Sequence, residues 1–258
     1  MKALKSWLTA PTLWFAGVAV LLLVWAVADP VALRNAFDQG GYSPFELATI
    51  PFFAAIVPLV WWKCPFTGSR RRRTLLCAAV SIVAVMAIVK ELDLHNLALH
   101  ALFPDLVGED GKIVAGALTK PDGRPLTGTP FKARFLTNAS VPFLAKALVV
   151  GYFASFFGVF AATLAYFAPA FVKGVFRLDP VAWTFGCMGG SGVLVQLADR
   201  LPAWYRHLTG VAMKTADGAV DRASSLCTAL EEGGEMMLAL FALLAIFQSW
   251  YLHNRKND

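Results

Sequence analysis

Six stretches of the chain are apolar over roughly the thickness of a bilayer, and polar residues collect between them. The blocks are 13–28 (LWFAGVAVLLLVWAVA), 46–62 (ELATIPFFAAIVPLVWW), 74–95, 141–171, 181–198 and 236–251. Each is about long enough for a ~30 Å hydrocarbon layer at 1.5 Å per residue, the shorter ones with tilt or snorkelling ends. The apolar residues come as blocks rather than as amphipathic stripes. The pattern therefore predicts an all-α polytopic membrane protein: one transmembrane helical domain over 1–258 with six transmembrane helices. The first block ends in Ala26-Val27-Ala28, which mimics a signal-peptide cleavage site. Its flanking tryptophans and the multi-span pattern favour an uncleaved helix.

Charge between the blocks sets an orientation. On one side fall Lys2 and Lys5, then Lys63 with Arg70 to Arg73, then Lys173 with Arg177, then Arg255 with Lys256. These segments are short and basic or neutral, so the positive-inside rule makes this side, with both termini, cytoplasmic. The other side receives residues 29–45 and two longer loops. In the loop after the third block, Pro121-Asp122-Gly123 separates two runs of strand character and predicts a small β-hairpin. The loop Leu201 to Leu230 is loosely amphipathic, as a segment lying on the membrane surface would be. Ala154, Gly158 and Ala162 recur every four residues, and Gly186 and Gly190 sit in GCMGGSG; both read as helix-packing faces.

Composition agrees. The 258 residues are 57% hydrophobic and only 16% charged, with mean hydropathy +0.59, too apolar for the surface of a soluble domain. The +6 net charge is not a nucleic-acid footprint, because the basic residues cluster beside apolar blocks, where topology signals and anionic lipids use them. Membrane lipids are the expected partners, with protein partners through the outer loops and no nucleic acid. Cys64, Cys77, Cys187 and Cys227 have no C-x-x-C spacing and read as small apolar fillers.

The third block ends in KELDLHNLALH, Lys90 to His100. Glu91 and His95 are four residues apart and share a helix face. Alternation brings this end beside Asp199 and Arg200 of the fifth block, and beside Glu231, Glu232 and Glu235 at the start of the sixth. Arg134 and Lys146, before and within the fourth, reach the same side, and Glu46 opens the second there. Charges in a membrane face the bundle interior or a wet cavity, and carboxylate and imidazole at helical spacing can ligate one cation. The predicted site takes Glu91, Asp93 and His95 as acid/base groups or ligands, and Asp199, Glu231, Glu232 and Glu235 as further metal ligands. Arg200, Lys146 and Arg134 orient or pair the acids, and the implied cofactor is a divalent metal. Such a site, facing the outside or periplasm from a bacterial inner membrane, would support chemistry on lipid ester or phosphoryl groups. Two other readings remain open. An ion- or proton-coupled transporter needs a polar path inward, and the inner halves offer only Gln248, Ser81 and Thr163. A structural or assembly subunit would use the charges, Lys90 included, as an ion-pair staple, with Glu231 and Glu232 favoured at a helix N-terminus. No H-E-x-x-H, Walker, dinucleotide-glycine or G-x-S-x-G motif occurs.

Overall fold

The computed structural model describes residues 5–37, 43–66, 68–120, 123–210 and 221–254. The helices are α1 (Thr9–Val27), α2 (Pro30–Phe37), α3 (Pro44–Lys63), α4 (Arg70–Glu91), α5 (Leu94–Leu102), α6 (Ala133–Thr137), α7 (Phe143–Phe153), α8 (Val159–Phe176), α9 (Pro180–Thr209) and α10 (Arg222–Asn254). A π-helical turn, Ala154–Gly158, joins α7 to α8 as one long rod. Six helices are thus long and apolar enough to cross a membrane: α1, α3, α4, the α7–α8 rod, α9 and α10.

Helix α10 is the hub. Its Met237 and Phe241 pack in one core with Leu21 of α1 and Leu33 and Phe37 of α2. Its Ile246 packs in another with Ile56 and Val60 of α3 and Cys77 and Ala84 of α4. Helices α1 and α9 each run antiparallel to α10 and parallel to one another, with Trp7 against Trp183 and Trp14 against Ser191. Along α1 and α10, Gly17 meets Met237 and Leu21 meets Gly233, while the Trp25 indole donates to the Arg222 carbonyl at 2.9 Å. Along α9 and α10, Thr184 lies by Gln248 and Val195 by Gly234. At Gly234 a Cβ would sit 2.6 Å from Val195 Cγ2, so the backbones approach where a side chain would hold them apart.

That close approach is not where the small-residue repeat pointed. Ala154, Gly158 and Ala162 are exposed, and nothing lies within 4 Å of a Cβ built on Gly158. The tight contacts belong to Gly17, Gly174, Gly233 and Gly234. Two of the four cysteines also meet. The Cys64 and Cys77 sulfurs are 3.9 Å apart, both as free thiols.

Three boundaries differ from the hydropathy blocks. Helix α4 stops at Glu91 instead of running to residue 95. The segment 201–230 is not one surface loop: α9 continues to Thr209 and α10 starts at Arg222, with 211–220 outside the described residues. Glu231 and Glu232 consequently sit well inside α10 rather than at its N-terminus. In the loop expected to hold a hairpin, two isolated antiparallel bridges form, Val107 with Ile113 and Thr119 with Pro125, the second on either side of the expected turn, and no strand forms among the described residues. Pro121 and Asp122 of that turn lie outside them.

The described residues among 99–153 instead build an apolar cap against the start of α7. Leu99, Val107, Leu118 and Phe135 are almost fully buried in it with Val141, Ala145 and Val149. Burial from water contributes about 1.5–3 kcal/mol for each large side chain of the cap that lies outside the membrane-length helices. Asn138 fastens the cap by donating to the Thr119 carbonyl at 2.8 Å, and His100 Nδ1 lies 2.8 Å from the Val107 carbonyl.

Candidate functional site

The site begins with a broken helix. Leu92 leaves the α-region and Asp93 is left-handed, at φ 50°, a conformation aspartate tolerates better than most residues. The Asp93 carbonyl accepts from the backbone amides of Asn96 and Leu97, and its Oδ1 accepts from Asn96 Nδ2 at 3.1 Å. A new helix, α5, starts there on a new axis. The break separates Glu91 from His95, so the expected shared face does not exist.

Glu91 turns into the bundle and is buried. There it meets Glu232 and Glu235 of α10: one carboxylate oxygen from each lies within 4.8 Å of the others. Lys90 closes the group. Its ammonium donates to both oxygens of Glu235, at 2.5 and 2.7 Å, and to Glu91 Oε1 at 3.2 Å. Glu232 makes no hydrogen bond to Lys90. Three carboxylates therefore share one ammonium where α4 crosses α10.

The remaining predicted residues stand outside this group. His95 hangs from the Val89 carbonyl through Nδ1 at 3.4 Å. Its ring stacks on Tyr152 with centroids 4.8 Å apart and meets the edge of Phe131 at 4.7 Å. Burial holds its imidazole below the usual histidine range, so it is neutral near pH 7. Its Nε2 is 3.9 Å from Asp93 Oδ1, and the Asp93 side chain is 52% exposed, pointing away from a buried site. Asp199 pairs at 3.4 Å with its own neighbour Arg200, both largely exposed. Glu231, half-buried, precedes Glu232 but is not one of the three. Arg134 and Lys146 form no ion pair among the described residues. Glu46 completes a capping box with Ser43 at the start of α3.

The sequence pattern offered Lys90 only as a pairing charge in the staple alternative, and it is the counter-charge at the centre; Tyr152, which stacks on His95, was not singled out. A lone tyrosine just before a π-turn in a phenylalanine-rich rod was the available signal, since π-turns collect at functional positions. No known family, curated protein or solved structure matches this chain.

Proposed function

We propose that this is a multi-pass membrane protein, with both termini cytoplasmic, that binds a cation at the Glu91, Glu232 and Glu235 carboxylates near its outer face. The observation that carries the reading is charge balance. Three carboxylates converge within 4.8 Å on one ammonium, which leaves two negative charges uncompensated if all three ionise. In a weakly solvated site that excess draws in a further cation. Oxygen ligands suit a hard divalent ion. The first chemistry to test is polarisation of a lipid ester or phosphoryl oxygen by that ion. Helix α5 supports it: Leu94, Leu97 and Leu102 are exposed on its surface, as fits a helix resting in the outer leaflet beside the site. The membrane assigned is a bacterial inner membrane, with the cluster facing the periplasm.

The staple reading has an observation of its own, the two-oxygen grip of Lys90 on Glu235. Glu232 separates the two readings because it does not hold Lys90. Titration of the purified protein with Mn(II), followed by electron paramagnetic resonance, is expected to saturate in wild type and to weaken at least tenfold in Glu232→Gln. Equal weak binding in both, with wild-type melting in both, leaves only the staple. Transport is the least supported use. Below Glu235 the buried side chains of α10 are Met237, Ala239, Phe241, Ala245 and Ile246 until Gln248, an apolar plug rather than a path.

A further inference from the structure

At the opposite end of the bundle, the start of α4 carries Arg70, Arg71, Arg72 and Arg73, all exposed. No carboxylate pairs with any of them among the described residues. The acid at this end within those residues, Asp179, is engaged in capping α9 through Val181 N and Ala182 N. Arg72 is positioned rather than loose. Gly68 has φ +112°, and a Cβ there would lie 3.0 Å from Arg72 Cδ. This glycine lets the chain turn tightly under the Arg72 stem. Ser69 caps α4 by accepting from Arg72 N at 3.3 Å. The Arg72 guanidinium then sits 5.2 Å from the Tyr166 ring of α8, which fixes its direction.

Between α4 and α8 these residues leave a groove of about 390 Å³, lined by Ser69, Arg71, Arg72, Leu75, Leu76 and Tyr166. Its charged mouth leads onto an apolar wall, with Leu75 60% exposed. A cationic rim above an apolar wall matches an amphiphile with an anionic head. We propose that the groove binds an anionic glycerophospholipid, its phosphate between the Arg71 and Arg72 guanidinium groups and an acyl chain along Leu75 and Leu76. Arginine grips phosphate through paired N–H donors, and the α4 N-terminus adds its partial positive charge. A choline headgroup would place its own cation among the arginines, so the site selects net-negative lipid. The inference is independent of the carboxylate cluster and holds whether or not that cluster takes up a cation.

Native mass spectrometry of the delipidated full-length protein, with phosphatidylglycerol or phosphatidylcholine of matched chains added back, tests it. Wild type is expected to keep one phosphatidylglycerol and to show no comparable phosphatidylcholine adduct. Arg71→Gln/Arg72→Gln is expected to lose phosphatidylglycerol about tenfold or more, while Lys173→Gln/Arg177→Gln at the same end retains it. Equal retention of both lipids, or equal loss in the two double variants, overturns a defined site in favour of diffuse charge. Displacement of the lipid by millimolar inorganic phosphate overturns the lipid as occupant. Should the arginine variant fail to fold, a photoactivatable phosphatidylglycerol on wild type decides. Labelling centred on 69–76 and Tyr166 supports the groove, and labelling spread over the other helices refutes it.

Discussion

Two of the polar connections that helix α10 makes differ in kind. Near one end Glu235 holds Lys90 of α4 beside two further carboxylates. Near the other, Gln248 is fully buried and its Oε1 lies 2.5 Å from the Thr184 hydroxyl of α9. The second connection is neutral and local. The Thr184 hydroxyl also lies 2.9 Å from the Pro180 carbonyl, so its proton has a partner even without Gln248. The first gathers three carboxyl groups around one ammonium, that of Lys90. The neutral pair carries no charge to compensate, although Gln248 Nε2 is buried with no hydrogen-bond partner among the described residues. Buried carboxyl groups in excess of their counter-charge cost stability unless they take up protons or a further cation, which is why function is sought at the charged end.

The largest expected effect breaks the charged connection. Lys90→Met should lower stability in detergent by about 3 kcal/mol, discounted from a fully buried pair because Lys90 is partly exposed. Lys90→Met/Glu235→Leu should recover part of that loss, since fewer carboxylates then repel one another. Thermal unfolding of the three proteins reads this, and a single variant as stable as wild type would erase the contrast. Next, Gly234→Leu, one residue before the charged connection, forces a side chain into Val195 and should cost about 1–3 kcal/mol by the same assay. Full tolerance would mean that α9 and α10 are not locked together there. Gln248→Leu should change stability by no more than about 1 kcal/mol in either direction. A loss as large as that of Lys90→Met would make the neutral end the stronger one.

The smallest effect is a slope. The depressed His95 pKa favours the neutral ring in the folded protein. Its contribution is therefore present above the reference value of 6.5 and is lost as pH falls below it. His95→Phe, which keeps an aromatic ring against Tyr152, should flatten the decline in melting temperature between neutral and mildly acidic pH. An unchanged slope would remove His95 from the account.

The long-range plan was legible because hydropathy reports what faces lipid, and all six membrane-length helices follow from it. What escaped was set by short polar chemistry. The break after Glu91 depends on Asp93 taking a left-handed backbone, which no periodicity records. The cap around Phe135 and Leu118 was hidden because scattered apolar residues in a polar loop resemble noise until they meet. At the site, alternation correctly brought α4 and α10 together, so Glu91, Glu232 and Glu235 could be found. Asp199, Arg200, Arg134 and Lys146 share the end but not the interior, since residue count fixes depth along a helix and leaves its rotation open.

The central claim is that the Glu91, Glu232 and Glu235 cluster takes a cation beyond Lys90, and elemental analysis of protein purified without chelator tests it most directly. The account predicts about one divalent ion per chain in wild type. It predicts loss of that ion in Glu232→Gln with unchanged melting, because the Lys90–Glu235 grip remains. Equal, trace metal in both proteins would contradict it and leave the carboxylates as a lock between two helices.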